Sequence, residues 1–374
     1  MIVQPFRREK NAFRWSVVFS DSPAPGQVRL LSLHGGCPDS RLSASLFTLE
    51  ANPLLLYLVK RLMQMLGVLL AVSLIVFFVM SFTGDPVLLM VPPDATEVEI
   101  EEARRDLGLD KPLWVQYGVF MKNVARGDMG RSYIFKQPVG KLIFERMPAT
   151  FEMVGCAVLL SLLISIPTGV YAAARPNSAL SRFFMGGSLL GISLPSFWVG
   201  ILLIFLFAVE WGLCPSSGRG ETALLFGVPW SFLTWNGLHH LLLPSFTLAL
   251  GTLAVLMRLV RAQMREVLRQ DFVKFARAKG VAPRALLFSH ALKNAFIPVI
   301  TFFGLQVGRL IAFATVTETI FSWPGMGKLL IDAINTSDRP IIVAYLMVVA
   351  TLFVAINFAI DVIYTLVDPR IDLR

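Results

Sequence analysis

Hydrophobic positions in this chain gather into long uninterrupted runs, not into the alternating or striped patterns of soluble strands and helices. A helix needs about 20 consecutive apolar residues to cross a bilayer core. Six stretches reach that length, at about residues 62–82, 153–174, 184–209, 238–257, 297–317 and 341–366. The first carries no charge, the fifth contains Arg309, and the sixth contains Asn357 and Asp361. Pro167, Pro195 and Pro244 fall inside or at the edge of runs; membrane helices tolerate proline because neighbouring helices and waters re-satisfy the freed backbone groups. The fold class expected is an all-α integral membrane protein with six transmembrane helices.

The segments outside the runs differ in character. Residues 84–150 are too long for a plain turn and predict a folded helical segment. Thr96 with Glu99 reads as a capping box, and Gly108 followed by Pro112 as a stop, so a helix is expected from about 97 to 107. A second, amphipathic helix is expected over 113–125, ending at Gly127-Asp128. The segment is expected to be either a small outer cap or a surface touching cargo. Residues 1–55 mix isolated apolar residues with Gly, Pro, Ser and Arg and predict a poorly ordered extension. The expected organisation is then 1–55, a first membrane helix over 56–83, the helical segment 84–150, and a five-helix core over 151–374.

Composition agrees with the runs. Only 16% of residues are charged and mean hydropathy is +0.66, against roughly a quarter charged in soluble domains. The net charge of +9 lies mostly beside the apolar runs, which favours membrane orientation over nucleic-acid binding. Lys60 and Arg61 precede the first run. The link after the fourth holds Arg258, Arg261, Arg265, Arg269, Lys274, Arg277, Lys279, Arg284 and Lys293 against Glu266 and Asp271 alone. By the positive-inside rule both termini are expected in the cytoplasm. Cys37, Cys156 and Cys214 have no paired spacing and imply neither a metal site nor a disulfide framework. No Ser–His–Asp or paired-carboxylate arrangement stands out, so no catalytic residue, cofactor or metal is expected. Gly325-Met326-Gly327-Lys328 lacks the first glycine and the Ser or Thr of a phosphate-binding loop. His239-His240 reads as a polar pair at a membrane interface beside Trp230 and Trp235.

The basic link carries a second pattern, a helix ending at Gly280 and another beginning near Pro283. Leu268, Phe272, Phe275 and Ala276 form an apolar stripe on the first, and Leu286, Leu287, His290 and Ala291 on the second. Such a loop can lie on anionic lipid or dock into a partner's groove.

Several motifs then join. They are Phe275-Ala276-Arg277-Ala278-Lys279-Gly280 with His290-Ala291-Leu292-Lys293-Asn294-Ala295 and Pro298; Gly84-Asp85-Pro86; the run from Gly127 to Ser132; the run from Thr317 to Gly327; and Asp368-Pro369-Arg370-Ile371. Together they resemble the permeases of ATP-binding-cassette importers, in particular the first-permease type of the dipeptide and oligopeptide branch, over about residues 56–374. The resemblance implies an inner-membrane subunit of an importer for short peptides. Its implied partners are a second homologous permease, cytoplasmic ATP-binding subunits and an extracytoplasmic substrate-binding protein, with ATP hydrolysed on those separate subunits. Residues 262–296 would be the loop that couples to the ATPases, with Asp271, Phe272, Phe275, Ala276, Arg277, Ala278, Lys279, Gly280, His290 and Asn294 as contact candidates. The resemblance leaves the cargo open among dipeptides, longer peptides, glutathione and nickel. It has no counterpart for residues 1–55, which are expected to be dispensable or absent from the protein made in cells.

Arg309 inside the fifth run and Glu318 just beyond it are candidate translocation-path residues. Arg309 is expected near the membrane midplane and departs from the small or uncharged residue common at that position in the resembling family. It is expected to face the path or to pair with a carboxylate of the second permease, because a centred arginine costs roughly 2.5–3.5 kcal/mol on insertion. Gly304 and Gly308, like Gly187 and Gly191, have the spacing of close helix contacts, either within the chain or with the second permease. A stand-alone secondary transporter is the rival reading. No internal repeat supports it, and the acids cluster at run ends.

Overall fold

The computed structural model describes residues 53–82, 87, 94–106 and 108–367. The expectations for residues 1–52, for Gly84-Asp85-Pro86 and for Asp368-Pro369-Arg370-Ile371 lie outside these residues. Helix α1 covers Pro53–Phe82, α2 Glu97–Asp106, α3 Leu113–Ala125 and α4 Val139–Ala174. Helices α5 (Ala179–Ser193) and α6 (Ser196–Leu203, continued by a π-helical turn Ile204–Glu210) follow. A small hairpin, β1 (Ala223–Leu225) and β2 (Val228–Trp230), precedes α7 (Trp235–Val267). Then come α8 (Asp271–Ala278), α9 (Pro283–Ala285), a π-helical segment Leu286–Ala291, α10 (Leu292–Ile320), α11 (Met326–Asn335) and α12 (Arg339–Val367).

Among the described residues, five helices are long and apolar enough to cross a membrane: Val59–Val79 of α1, all of α4 and α7, Pro298–Ile320 of α10 and Arg339–Val362 of α12. The third apolar run differs from the expectation of one continuous helix. Its two halves, Ala179–Ser193 and Ser196–Glu210, meet at an angle of 112°. Pro195 is the cause. A residue before proline is pushed out of the helical region, and Leu194 is extended, with φ −88° and ψ 135°. Pro148 and Pro167 in α4 and Pro244 in α7 stay inside unbroken helices. Two boundaries also move. The second run is the C-terminal part of a 36-residue helix that starts at Val139, and the fourth belongs to a 33-residue helix. At about 1.5 Å per residue both outrun a bilayer core.

The central layer is α4 against α7 and α10. Ala149, Met153, Val154 and Ala157 of α4 meet Leu241, Leu248 and Ala249 of α7, Leu310, Ile311 and Ala314 of α10, and Trp323. Toward the end of α7 a second apolar cluster joins Val170, Val260, Met264 and Val267 to Val273 of α8 and to Leu286, Ala291, Ala295 and Val299. At the opposite end a third joins Val139 and Ile143 to Met326, Leu329 and Ala333 of α11 and to Ile341, Tyr345 and Val348 of α12. The glycine pair on α10 packs within the chain: a Cβ at Gly304 would lie 2.7 Å from Ile360 and one at Gly308 2.8 Å from Phe353, both on α12. Asp361 of α12 is ion-paired with Arg61 of α1 at 3.3 Å.

The approach of α4 to α7 gives a test. A Cβ on Gly169 of α4 would sit 2.8 Å from the Met257 carbonyl and from Val260 Cβ, whereas one on Gly187 meets nothing within 4 Å. Gly169→Ala is expected to destabilise by about 1–3 kcal/mol through overpacking. Gly187→Ala is expected to stabilise by up to about 1 kcal/mol through helix propensity. Melting temperatures of the two detergent-purified variants, moving in opposite directions from wild type, are the check.

Candidate functional site

The segment after α7 is held by its apolar face. Gln270 precedes α8 in extended conformation and Gly280 follows it at φ +80°, a left-handed geometry that glycine adopts without a steric penalty. Val273 is fully buried, and Ala276 and Leu268 are partly buried beside Leu286 and Ala291. The face in contact with the core is therefore that of Val273 and Ala276. Phe272 and Phe275, expected on the same stripe, point outward and are 41% and 63% exposed. Lys279 Nζ lies 4.6 Å above the Phe275 ring, and Lys274 Nζ is 2.8 Å from Asp271 Oδ1. Arg277, Ala278 and Lys279 are exposed. The second stripe needs the same kind of correction. Leu286, Leu287 and Ala291 pack inward, but His290 is exposed, because the π-helical turn over Leu286–Ala291 rotates it off that face. Asn294 Nδ2 donates to the His290 carbonyl at 2.9 Å. Nine of the ten candidates thus lie exposed along one segment, while Ala276 joins the buried floor that anchors it, a floor that sequence reasoning missed at Val273.

The opposite end of the bundle is built on three buried carboxylates. Glu318, a candidate path residue, is instead enclosed by its own chain, with no exposed surface. It accepts from Thr150 Oγ1 at 2.6 Å and from the Lys328 amide at 2.9 Å. Thr150 in turn accepts from the Met326 amide at 2.9 Å, and Trp323 Nε1 donates to the Ala149 carbonyl at 2.8 Å. Gly325 sits so close that any Cβ there would collide with the Glu318 carboxylate. The glycines around Met326 therefore serve packing. Asp338, before α12, accepts from Ser132 Oγ at 2.5 Å and from the Tyr133 and Ile134 amides at 3.3 and 3.2 Å. Burial pushes the neighbouring Tyr133 phenol up, so it stays neutral. Glu152 of α4 meets Arg219 Nε at 2.5 Å and the Ser231 amide at 2.8 Å, while Arg219 also donates to the Pro229 carbonyl at 2.7 Å. This pins the hairpin loop to α4. The capping box is formed as expected: Glu99 accepts from the Thr96 amide at 2.7 Å, which holds its carboxyl below the usual range.

Arg309 lies on the exposed side of α10. Its guanidinium reaches Gln306 Oε1 at 3.5 Å and the Phe313 ring at 5.8 Å. It lines a groove of about 350 Å³ with Leu194 and Ser196 at the α5–α6 bend and Thr252 of α7, and no carboxylate is among the lining residues. His240 Nδ1 is 2.9 Å from the Asn236 carbonyl of its own helix.

Residues 165–373 match the binding-protein-dependent transport system inner membrane component, and residues 54–154 match the N-terminal membrane component of such systems. The chain belongs to this family. Three relatives agree in detail. The oligopeptide transport permease AppB of Bacillus subtilis is 37% identical over 84% of this chain and 99% of its own length. The di/tripeptide transport permease DppB of Pseudomonas aeruginosa is 40% identical over 85% and 99%. The dipeptide transport permease DppB of Escherichia coli K12 is 36% identical over 85% and 99%. The permease is thus a multi-pass inner-membrane transport component of the DppB-like type, as the motif resemblance implies.

Glu152 and Arg219 were not legible as partners, since 67 residues separate them; only a charge inside the α4 helix hinted at Glu152. Glu152→Ala is expected to cost about 3–5 kcal/mol, because it leaves a mostly buried guanidinium without its carboxylate. Joint replacement of Glu152 and Arg219 by Met is expected to cost clearly less. Thermal unfolding of the purified variants, with the single change the more damaging, is the measurement.

Proposed function

We propose that the permease carries short peptides inward through a path shared with a second homologous permease. A substrate-binding protein delivers the cargo outside, and separate cytoplasmic subunits hydrolyse ATP. Both termini lie in the cytoplasm, so the basic segment around α8 faces the ATPases. The observation that carries this reading is the division of α8 into a buried Val273 and two exposed phenylalanines, Phe272 and Phe275. An aromatic ring filling a partner groove contributes roughly 1.5–3 kcal/mol, and the buried floor makes the helix a stiff contact. A stiff contact is what transmits a nucleotide-driven movement into the membrane helices through α7 and α10.

Phe275→Asp is expected to abolish ATPase docking and peptide uptake while the permease still inserts, since a carboxylate in a docking groove costs several kcal/mol. Phe275 is the clean site. Gly280→Asp should uncouple transport too, but it adds backbone strain at φ +80°. Copurification of the ATPase subunits, with uptake measured in parallel, is the test; wild-type assembly and uptake in both variants remove α8 from the mechanism.

In the same reading, Arg309 faces the path and draws the peptide's C-terminal carboxylate. Two features support this. Non-helical backbone at membrane depth is tolerated where it lines a water-filled cavity, and the α5–α6 break shares a groove with Arg309. The groove also offers the arginine no carboxylate of its own. Arg309→Leu is expected to leave the complex assembled and to lower uptake of a free-acid peptide about tenfold, the loss of one charge-assisted contact. The amidated peptide should suffer far less. Equal loss for both cargoes with a weakened complex leaves Arg309 a structural role only.

A further inference from the structure

The last turns of α7 carry Arg258, Arg261 and Arg265, three and four residues apart and hence on one helix face. Like charges at this spacing repel. Among the described residues none of the three has an ion-pair partner, although carboxylates at Glu266 and Asp271 are near in sequence. The three line a cavity of about 260 Å³ together with Met185, Ser188 and Leu189 of α5. Arg261 is half-buried, and its Nε is shielded from solvent without a hydrogen-bond partner. The Ser188 hydroxyl donates to the Met185 carbonyl at 2.8 Å, so the arginines are the donors free to face the cavity. A buried donor left unmade is costly, and an oxyanion would satisfy it.

Position and lining indicate which oxyanion. Arg258 follows directly on the apolar run of α7, and Arg265 lies two turns further toward α8. That is the level at which a span meets the headgroups. The other wall is apolar, with Met185 and Leu189 able to lie along an acyl chain. Guanidinium forks match phosphate geometry, and basic pockets between membrane helices on the cytoplasmic side hold anionic headgroups. We propose that Arg258, Arg261 and Arg265 form a binding site for the headgroup phosphate of an anionic phospholipid, wedged between α5 and α7. Bound lipid would neutralise the arginine row and brace the helix that leads into α8. The site does not depend on which cargo the permease carries.

The test is native mass spectrometry and thermal melting of the purified full-length permease with its copurifying subunits, titrated with dioleoyl phosphatidylglycerol, dioleoyl phosphatidylcholine or inorganic phosphate. Phosphatidylglycerol is expected to remain as an adduct and to raise the melting temperature, with phosphatidylcholine at least about tenfold weaker. The combined variant R258Q/R261Q/R265Q is expected to lose that preference. Arg261→Lys, which keeps the charge but not the fork, should lose part of it and protects the test if the triple variant does not fold. Equal binding of the two lipids overturns the proposal, as does undiminished phosphatidylglycerol binding in both variants. Stabilisation by millimolar phosphate equal to that by phosphatidylglycerol reduces the site to one for free anions and overturns the lipid assignment. Loss of subunits from the triple variant with lipid binding intact shows that the arginines pair with a neighbouring subunit, and likewise overturns it.

Discussion

The buried carboxylate of Glu318 governs how one end of this permease is built. A carboxyl group removed from water is tolerable only when its lone pairs are satisfied, and Thr150 and the Lys328 amide supply the donors. That requirement fixes much else. It holds the end of α10 against α4 and draws the start of α11 back under α10. It also excludes a side chain at position 325. Trp323 and Phe321, both essentially inaccessible to solvent, close the apolar side of the same corner. Asp338 and Glu152 repeat the device nearby, tying the 127–135 turns to α12 and the hairpin loop to α4.

The two ends of the bundle are therefore held by different physics. One end is cross-linked by hydrogen-bonded carboxylates, whose geometry is directional and leaves little freedom. The other, around the end of α7, is an apolar cluster whose contacts are non-directional, with aromatic rings and basic side chains turned outward. Directional contacts suit a part that must keep its shape. An apolar floor under α8 keeps the helix seated on the bundle while its outer face stays exposed. Between the two ends lie the bent α5–α6 pair and the Arg309 groove, where backbone irregularity and charge share one lining.

Chemical periodicity made much of this legible in advance. Among the described residues the apolar runs marked the five helices long enough to cross a membrane and the bent α5–α6 pair, since a bilayer imposes its thickness on any sequence that crosses it. The Thr96–Glu99 box and Gly127 placed α2 and α3 because caps act over three or four residues. The Phe275–Gly280 and Thr317–Gly327 motifs identified the permease family. The faces of short helices were less legible. Phe272, Phe275, Val273 and Ala276 are all apolar, and spacing alone does not say which pair meets a core supplied by α7 and the π-helical turn.

Sequence by itself determined the membrane character, the helical class, the family and the position of the segment around α8, because each rests on local composition or on contiguous motifs. Tertiary structure decided that Pro195 breaks an apolar run into two helices while Pro148, Pro167 and Pro244 stay inside unbroken helices. It also decided that Glu318 is locked inside while Arg309 faces a groove, and that Gly304 and Gly308 receive α12. These outcomes depend on groups that meet across long stretches of chain: Thr150 with Glu318, Glu152 with Arg219, Phe353 with Gly308. A residue's own neighbours in sequence carry no record of such partners, because burial and hydrogen bonding are properties of the packed bundle.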